Sequence, residues 1–169
     1  MDRSHGPRTV PGDSGAVLVV TFGPVASGDA EDLVALRILA MRESLERVGR
    51  FDPTRARERF LSGFLPERTR HVLVAGVRVG FVVLRATDDG LWLDHFYVHP
   101  AHQRRGIGGA VLARLFAEAD AQALALRCGA LKGSDSNRFY VRNGFALVAE
   151  AEWDNYYVRP PGARPAAHR

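Results

Sequence analysis

The sequence contains little cysteine and no long apolar segment. Its one cysteine, Cys128, excludes an internal disulfide, fits a reducing cytoplasm, and is expected to be a small core residue in a strand rather than a nucleophile. No apolar run approaches the roughly 20 residues that cross a bilayer. The first 15 residues hold no apolar segment of the kind found in secretory signals. We therefore expect a cytoplasmic protein without a membrane partner.

Basic residues outnumber acidic ones, but they are not arranged as in a nucleic-acid-binding protein. The chain has 23 Lys and Arg against 19 Asp and Glu, a formal net charge of +4. Arginines are interspersed with acids, as at 55–59, and no basic run or aromatic stacking motif is present. A nucleic-acid-binding module is therefore only a distant third hypothesis, and no nucleic-acid partner is expected.

Length and composition predict one globular domain with a sizeable core. The chain has 169 residues, of which 46% are hydrophobic and 25% are charged. Gly, Pro and charged residues dominate both ends. We predict a disordered tail at 1–14, one domain at 15–159 and a second disordered tail at 160–169.

Apolar periodicity and turn residues predict a mixture of strands and helices. The predicted helices cover 33–48, 53–61, 111–119 and 137–142. The predicted strands cover 16–22, 71–75, 79–85, 91–98 and 123–131, followed by 145–149 and 153–158 as one bent strand or two short ones. This order predicts the α/β class with a mixed sheet.

The most informative stretch joins the predicted strand 91–98 to the helix that follows it. Three glycines, Gly106, Gly108 and Gly109, stand at this joint, preceded by Arg104 and Arg105. The first turn of a helix has unpartnered N–H groups and a partial positive charge. Glycines let a ligand approach these groups, and the arginines add full charges. The stretch therefore predicts a phosphate or pyrophosphate site.

The spacing in this stretch excludes two common phosphate-binding loops. A dinucleotide fold requires G-x-G-x-x-G, but Val111 stands at the third glycine position. A P-loop requires G-x-x-x-x-G-K-[ST], and the single lysine, Lys132, is not in such a motif. The remaining pattern is Gln103-x-x-Gly106-x-Gly108, directly after a strand. It resembles the coenzyme A pyrophosphate loop of the GCN5-related N-acetyltransferases, the GNAT superfamily.

A second stretch, 135–145, carries the same resemblance. It contains Asn137 and Tyr140 on one face of a short helix, followed by Gly144 and Phe145, and is similar to the second motif of that superfamily. The resemblance covers about 16–159 in the order of the elements. It implies a GNAT-like fold, in which helices flank a mixed and mostly antiparallel central sheet.

The resemblance implies acetyl-CoA as cosubstrate, with no metal. By position, the coenzyme A arm is expected along the strand, its pyrophosphate on the loop, and further contacts on the second motif. The implied cofactor-binding residues are Phe96, Tyr97, Val98, Gln103, Arg104, Arg105, Gly106, Ile107, Gly108, Gly109, Ala110, Asn137 and Tyr140.

An N-acetyltransferase needs a proton donor for the departing thiolate and a base for the amine. A phenol can donate a proton to a thiolate, which makes Tyr140 the candidate acid. Asp94 is the first candidate base, directly or through water, and His95 is the second. Asp94 is alternatively an ion-pair partner of Arg37 or Arg85. Strand alternation predicts Trp92, Asp94, Phe96 and Val98 on one face and Leu93, His95 and Tyr97 on the other.

The sequence leaves the acceptor amine open. Its contacts are expected from the first two helices and the loop between them. The candidates there are Arg37, Met41, Arg42, Glu43, Glu46 and Arg50. The hypothesis is therefore an acetyl-CoA-dependent N-acetyltransferase acting on a small-molecule or peptide amine. The alternative is an inactive acyl-CoA-binding sensor. A homodimer is a further possibility for its assembly.

Overall fold

The computed structural model describes residues 17–164, so the predicted tail at 1–14 lies outside the described residues. The helices are α1 (Ala30–Arg47), α2 (Pro53–Ser62), α3 (Ile107–Ala121) and α4 (Ser136–Arg142). The strands are β1 (Val20–Pro24), β2 (Thr69–Val74), β3 (Val77–Thr87), β4 (Gly90–Val98), β5 (Leu126–Leu131), β6 (Ala146–Glu150) and β7 (Asp154–Arg159).

The strands form one seven-stranded sheet in the order β1-β2-β3-β4-β5-β7-β6. The β4–β5 pair is parallel, and every other pair is antiparallel. This arrangement confirms the predicted α/β class with a mixed and mostly antiparallel sheet. Two short strands, β6 and β7, form the far edge rather than one bent strand.

Helices cover both faces of the sheet with separate apolar clusters. The cluster under α3 includes Leu112, Leu115 and the fully buried Val82 and Leu126. The cluster under α1 and α2 is built around Leu33, Val34, Phe60, Phe81 and Val83. Each face of the sheet therefore has its own apolar core, and a cleft that opens through the sheet contacts both.

Such an opening lies between β4 and β5. The two strands pair only where Leu91–Leu93 run beside Leu126–Cys128. Beyond that point β4 continues to Val98 and β5 to Leu131, with no pairing between them. Their facing edges therefore carry backbone N–H and C=O groups that a ligand can pair with.

A bulge in β4 makes the predicted alternation of its faces wrong. His95 pairs with Val83 and Leu93 pairs with Leu84, so the residue between them, Asp94, has no partner on β3. An extra residue shifts the pattern of faces by one position. Phe96 and Val98 therefore join Leu93 in the cluster under α3, although the prediction set them on opposite faces.

Several predicted boundaries differ from the observed ones; for example, β5 begins at Leu126 rather than at 123, and α3 begins at Ile107 rather than at 111. β1 begins at Val20 rather than at 16, because its pairing with β2 begins there and Val17 and Val19 are exposed. At the other end, residues 160–164 were predicted to be disordered. The backbone N–H of Gly162 donates to the Asp120 carboxylate at 2.8 Å, so this segment is fastened to the end of α3.

Candidate active site

The gap between β4 and β5 is part of one large cleft of about 1010 Å³. Its lining includes Phe96, Tyr97 and Val98 of β4, the whole of 129–131 on β5, and Tyr140 of α4. On the other side it is lined by α1, α2 and the loop between them. The cleft thus joins 96–98, Gln103 and Tyr140 of the predicted coenzyme site to the predicted acceptor region, whereas 104–110 and Asn137 are not part of its lining.

The N-terminus of α3 has the predicted form of an anion site. Gly106 caps the helix with a φ of +78°, a conformation that favours glycine. The first helical bond runs from the Ala110 N–H to the Gly106 carbonyl at 3.1 Å, and no side chain within residues 17–164 caps the helix. The N–H groups of the first turn are therefore available to a ligand, beside the exposed Arg104 and Arg105.

The glycine at 108 has a packing reason that the sequence did not show. A Cβ at Gly108 would lie 3.0 Å from the ring of Phe139. That ring also contacts Phe96, with centroids 6.1 Å apart. Gly108 therefore lets α3 approach α4 and β4 closely, whereas a Cβ at Gly109 would only meet Asn143 at 3.8 Å.

Gln103, which lines the cleft, and Asn137, which does not, both make internal hydrogen bonds. The Gln103 amide donates to the Val98 carbonyl at 2.9 Å and fastens the loop to the end of β4. The Asn137 amide donates to the carbonyls of Leu131 and Ser134 at 2.8 and 2.9 Å. Its oxygen accepts from Asn155 at 2.9 Å and from the Tyr157 hydroxyl at 2.8 Å. In this structure Asn137 joins α4 to β5 and β7, and its role toward a cofactor stays a prediction.

Tyr140 is buried at the wall of the cleft, with 6% of its surface exposed. Its ring packs against Phe145 and Tyr157, with centroids 5.2 and 6.0 Å away. Burial, together with the neighbouring Cys128, raises the pKa of Tyr140 well above its usual value. The hydroxyl therefore keeps its proton at neutral pH and gives it up less readily than an exposed tyrosine does. Cys128 is buried in β5, as the sequence predicted.

The two candidate bases lie in different surroundings. Both carboxylate oxygens of Asp94 accept from Arg85, at 2.9 and 3.1 Å, so the ion pair that sequence analysis held open is formed. His95 packs against Phe60, with ring centroids 5.2 Å apart, and its Nδ1 is buried without a partner among the described residues. Burial, and then the charge of Arg37, lowers the pKa of His95 to about 4.

The acceptor side of the cleft contains residues that sequence reasoning missed. Among its candidates, Arg37, Met41 and Arg50 line the cleft. Arg42 pairs with Glu46 and Glu43 pairs with Arg47, both on the helix surface. Arg55, Arg59 and Asp154 also line the cleft. The i, i+4 spacing of Arg55 and Arg59 within one helix was the available signal for that pair. Asp154 had none beyond its place at a strand start.

Neither a metal site nor a membrane-spanning helix is found among residues 17–164. No three His, Cys, Asp or Glu side chains in this region converge as a metal site requires. None of its helices has the length and apolar character needed to span a membrane.

Comparisons with known proteins agree with this geometry. Residues 68–147 match the family model described as acetyltransferase (GNAT) domain. In a comparison with curated proteins, no sequence matches the chain.

Several solved structures share the fold. The PaiA N-acetyltransferase of Thermoplasma acidophilum, in complex with coenzyme A, superimposes with a TM-score of 0.68 at 13% identity, covering 84% of this chain and 99% of its own. YjaB of Escherichia coli in its apo form gives 0.68 at 16%, covering 85% and 99%. The ribosomal-protein-S18-alanine N-acetyltransferase of Escherichia coli gives 0.60 at 18%, covering 89% and 100%.

Proposed function

We propose that this chain is an acetyltransferase of the GNAT superfamily, whose domain model matches residues 68–147, and that it transfers the acetyl group of acetyl-CoA to a primary amine. The observation that carries this proposal is the cleft itself. Its lining includes the unpaired edge of β4, Tyr140 and the helices of the acceptor side, which supports a reaction between a bound coenzyme and an amine in this space. The uncapped N-terminus of α3 follows β4 directly in the chain.

The residues present fit coenzyme A. The pyrophosphate would lie on the free N–H groups of 106–109 beside Arg104 and Arg105, because a helix N-terminus and full positive charges both attract phosphate. The arm would pair with the free backbone edge of Phe96, Tyr97 and Val98, as an added strand pairs with a sheet. Bound acetyl-CoA supplies the thioester that the amine attacks.

In the proposed reaction, the amine nitrogen bonds to the acetyl carbon and the C–S bond breaks. The amine loses a proton, and the departing sulfur gains one from the Tyr140 hydroxyl. A backbone N–H near Val98 stabilises the negative charge that develops on the carbonyl oxygen. Tyr140 is the candidate acid because it lines the cleft and carries a proton at neutral pH.

The proton of the amine leaves through water to a basic group of the cleft. We retain Asp94 and His95 as candidates and add Asp154. Arg85 occupies both oxygens of Asp94, so a proton must reach a remaining lone pair. His95 is neutral at pH 7 but holds a proton weakly. Asp154 lines the cleft and forms no salt bridge with any residue of 17–164.

A cytoplasmic location and a homodimer also stay predictions.

Two measurements test the proposal together. The first is a thermal shift with coenzyme A, and the second is thiol release from acetyl-CoA with a panel of amines, amino acids and peptides. We expect stabilisation by coenzyme A and thiol release with one class of acceptor. Stabilisation without release from any acceptor would favour the acyl-CoA sensor instead. No stabilisation would refute coenzyme A binding at 103–110.

A further inference from the structure

Arginines outside the cleft are mostly paired with carboxylates. Examples are Arg57 with Glu31, Arg70 with Glu118, and Arg159 with Asp120. Four arginines of the cleft form no salt bridge with any residue of 17–164: Arg37, Arg50, Arg55 and Arg59. The difference is clearest within α2, where Arg57 is paired and its neighbours at 55 and 59 are not.

These cationic groups converge on the acceptor side. Arg55 and Arg59 are four residues apart on α2, so they share a face, where like charges repel. Arg37 reaches from α1 toward α2, with its Nη1 3.4 Å from the Ala56 carbonyl, and its Nε is buried without a partner among residues 17–164. The charges of Arg37 and Arg59 both lower the pKa of His95, which lines the same cleft.

The acids of the cleft do not neutralise this cluster. Asp94 is engaged by Arg85, and Asp52 accepts the backbone N–H of Arg55 at 3.0 Å as the cap of α2. Asp52 keeps its negative charge, as does Asp154, so the lining holds four arginines against two acids that form no salt bridge within residues 17–164. Arg50 stacks on Trp153, with 4.3 Å from its guanidinium carbon to the ring centroid, which leaves its charge available. An excess of positive charge therefore faces the acceptor space.

The cluster is separate from the predicted pyrophosphate site. Arg37 and Arg59 act on His95, which packs with Phe60 and Phe81 on the face covered by α1 and α2. The N-terminus of α3 packs on the other face, where Ile107 joins Phe96 and Val98 in one cluster. The coenzyme's phosphates, held at Arg104 and Arg105, would therefore not supply the missing counter-charge.

We propose that the acceptor amine carries an anionic group, a carboxylate or a phosphate, which Arg37, Arg55 and Arg59 bind. This inference rests on the proposed acetyltransferase function and specifies its substrate class. A guanidinium binds both anions through paired hydrogen bonds, and it repels a polycation. The acceptor is therefore a zwitterionic amine rather than a polyamine.

Matched acceptors test the charge requirement and identify its source. Thiol release is measured with L-amino acids against their carboxamides, with O-phosphoethanolamine against ethanolamine, and with spermidine. We expect the anionic member of one pair to exceed its neutral partner at least tenfold in kcat/KM. A preference in the first pair identifies a carboxylate, and one in the second identifies a phosphate. Neutral amines or spermidine used as well as the anionic acceptors would overturn this inference alone. If coenzyme A binds but no amine is acetylated, the proposed function fails and this inference fails with it.

Arginine variants then test the location of the anion site. Arg59→Gln removes one charge from an exposed position, and we expect about a tenfold or larger rise in KM for the anionic acceptor with KM for acetyl-CoA unchanged. Arg57→Gln is the matched control on the same helix, because its guanidinium is paired with Glu31 outside the cleft. Equal acceptor KM values for the two variants would overturn the assignment to this cluster.

Discussion

The two halves of the cleft are built in different ways. The coenzyme half consists of strand edges, a helix N-terminus and side chains that satisfy one another, such as Asn137 with its four internal partners. The acceptor half is lined by arginines without carboxylate partners and by a histidine with a buried, unpartnered nitrogen, as counted over residues 17–164. The groups left for a ligand are therefore backbone groups in the coenzyme half and side chains in the acceptor half.

This difference explains why only the coenzyme half can be recognised in the sequence. A backbone site depends on glycines at fixed spacing next to a strand and a helix, and such a pattern is visible in one chain. A side-chain site draws on elements far apart in the chain, here α1, α2, β4 and the start of β7. Its members are ordinary surface residues until the fold brings them together.

The largest expected effect tests whether Tyr140 in the coenzyme half acts as a proton donor or only packs. Tyr140→Phe removes the proposed proton donor but keeps the ring that packs against Phe145 and Tyr157. We expect kcat to fall about 10²- to 10⁴-fold, with KM for acetyl-CoA within about twofold of the wild type. Tyr156→Phe is the control, because Tyr156 lies on β7 outside the cleft lining. Unchanged kcat for Tyr140→Phe across pH would remove Tyr140 from the mechanism.

The second prediction tests whether the coenzyme half is held together internally. Asn137→Ala removes hydrogen bonds to β5, to the loop before α4 and to β7, and leaves buried polar groups unpaired. We expect a loss of about 3 kcal/mol in the free energy of unfolding, measured by denaturant titration. Asn143→Ala is the milder control, because that amide makes one bond, to the Phe139 carbonyl at 2.8 Å. Equal losses for both variants would contradict the special role of Asn137.

The third prediction concerns the acceptor half and pH. His95 has a pKa of about 4 in the folded state against 6.5 when exposed, so the unfolded chain binds its proton first as the pH falls. The stability contributed by neutral His95 is complete above pH 6.5 and is lost as the pH falls toward 4. Between pH 7 and pH 5 this loss is about 2 kcal/mol.

His95→Gln should remove that pH dependence. The loss between pH 7 and pH 5 is calculated for each protein from its own free energy of unfolding at pH 7. Denaturant unfolding at pH 7 and at pH 5 measures it in both proteins. Asp29 and Asp120 do not interfere, because the Ala26 N–H and the Arg159 guanidinium, respectively, hold their pKa values at about 2. The same slope in the variant and the wild type would show that another group titrates in this window.

The smallest effect compares the charges of the two halves directly. Replacing Arg104 and Arg105 together by Gln should raise KM for acetyl-CoA about tenfold and leave KM for the acceptor unchanged. For Arg59→Gln the opposite is expected, because there KM rises for the acceptor and is unchanged for acetyl-CoA. The rise should shrink at high salt, because both arginines are exposed. An equal rise in both KM values would mean that the two halves are not electrostatically separate.

Much of the fold followed from local patterns, and the exceptions have physical causes. The helix boundaries of α1, α2 and α4 were predicted to within a few residues, because caps and apolar spacing are local signals. The bulge at Asp94 was not predictable, because it depends on how β4 aligns with β3. Because of the bulge, Phe96 and Val98 share a face with Leu93 rather than with Trp92 and Asp94 as predicted. The sequence also did not decide whether Asp94 pairs with Arg85, as it does in the structure.

The sequence by itself determined the class of fold, the strand–loop–helix joint at 98–110 and the helix that carries Tyr140, since each depends on residues that are close in the chain. Only the tertiary structure decided that β4 and β5 separate after Leu93, that Asn137 is engaged internally and that Arg37, Arg55 and Arg59 share one space without carboxylate partners among residues 17–164. The physical reason is that separation, burial and charge balance are properties of side chains and strands that meet across long distances in sequence. Local spacing cannot encode which of them will find a partner.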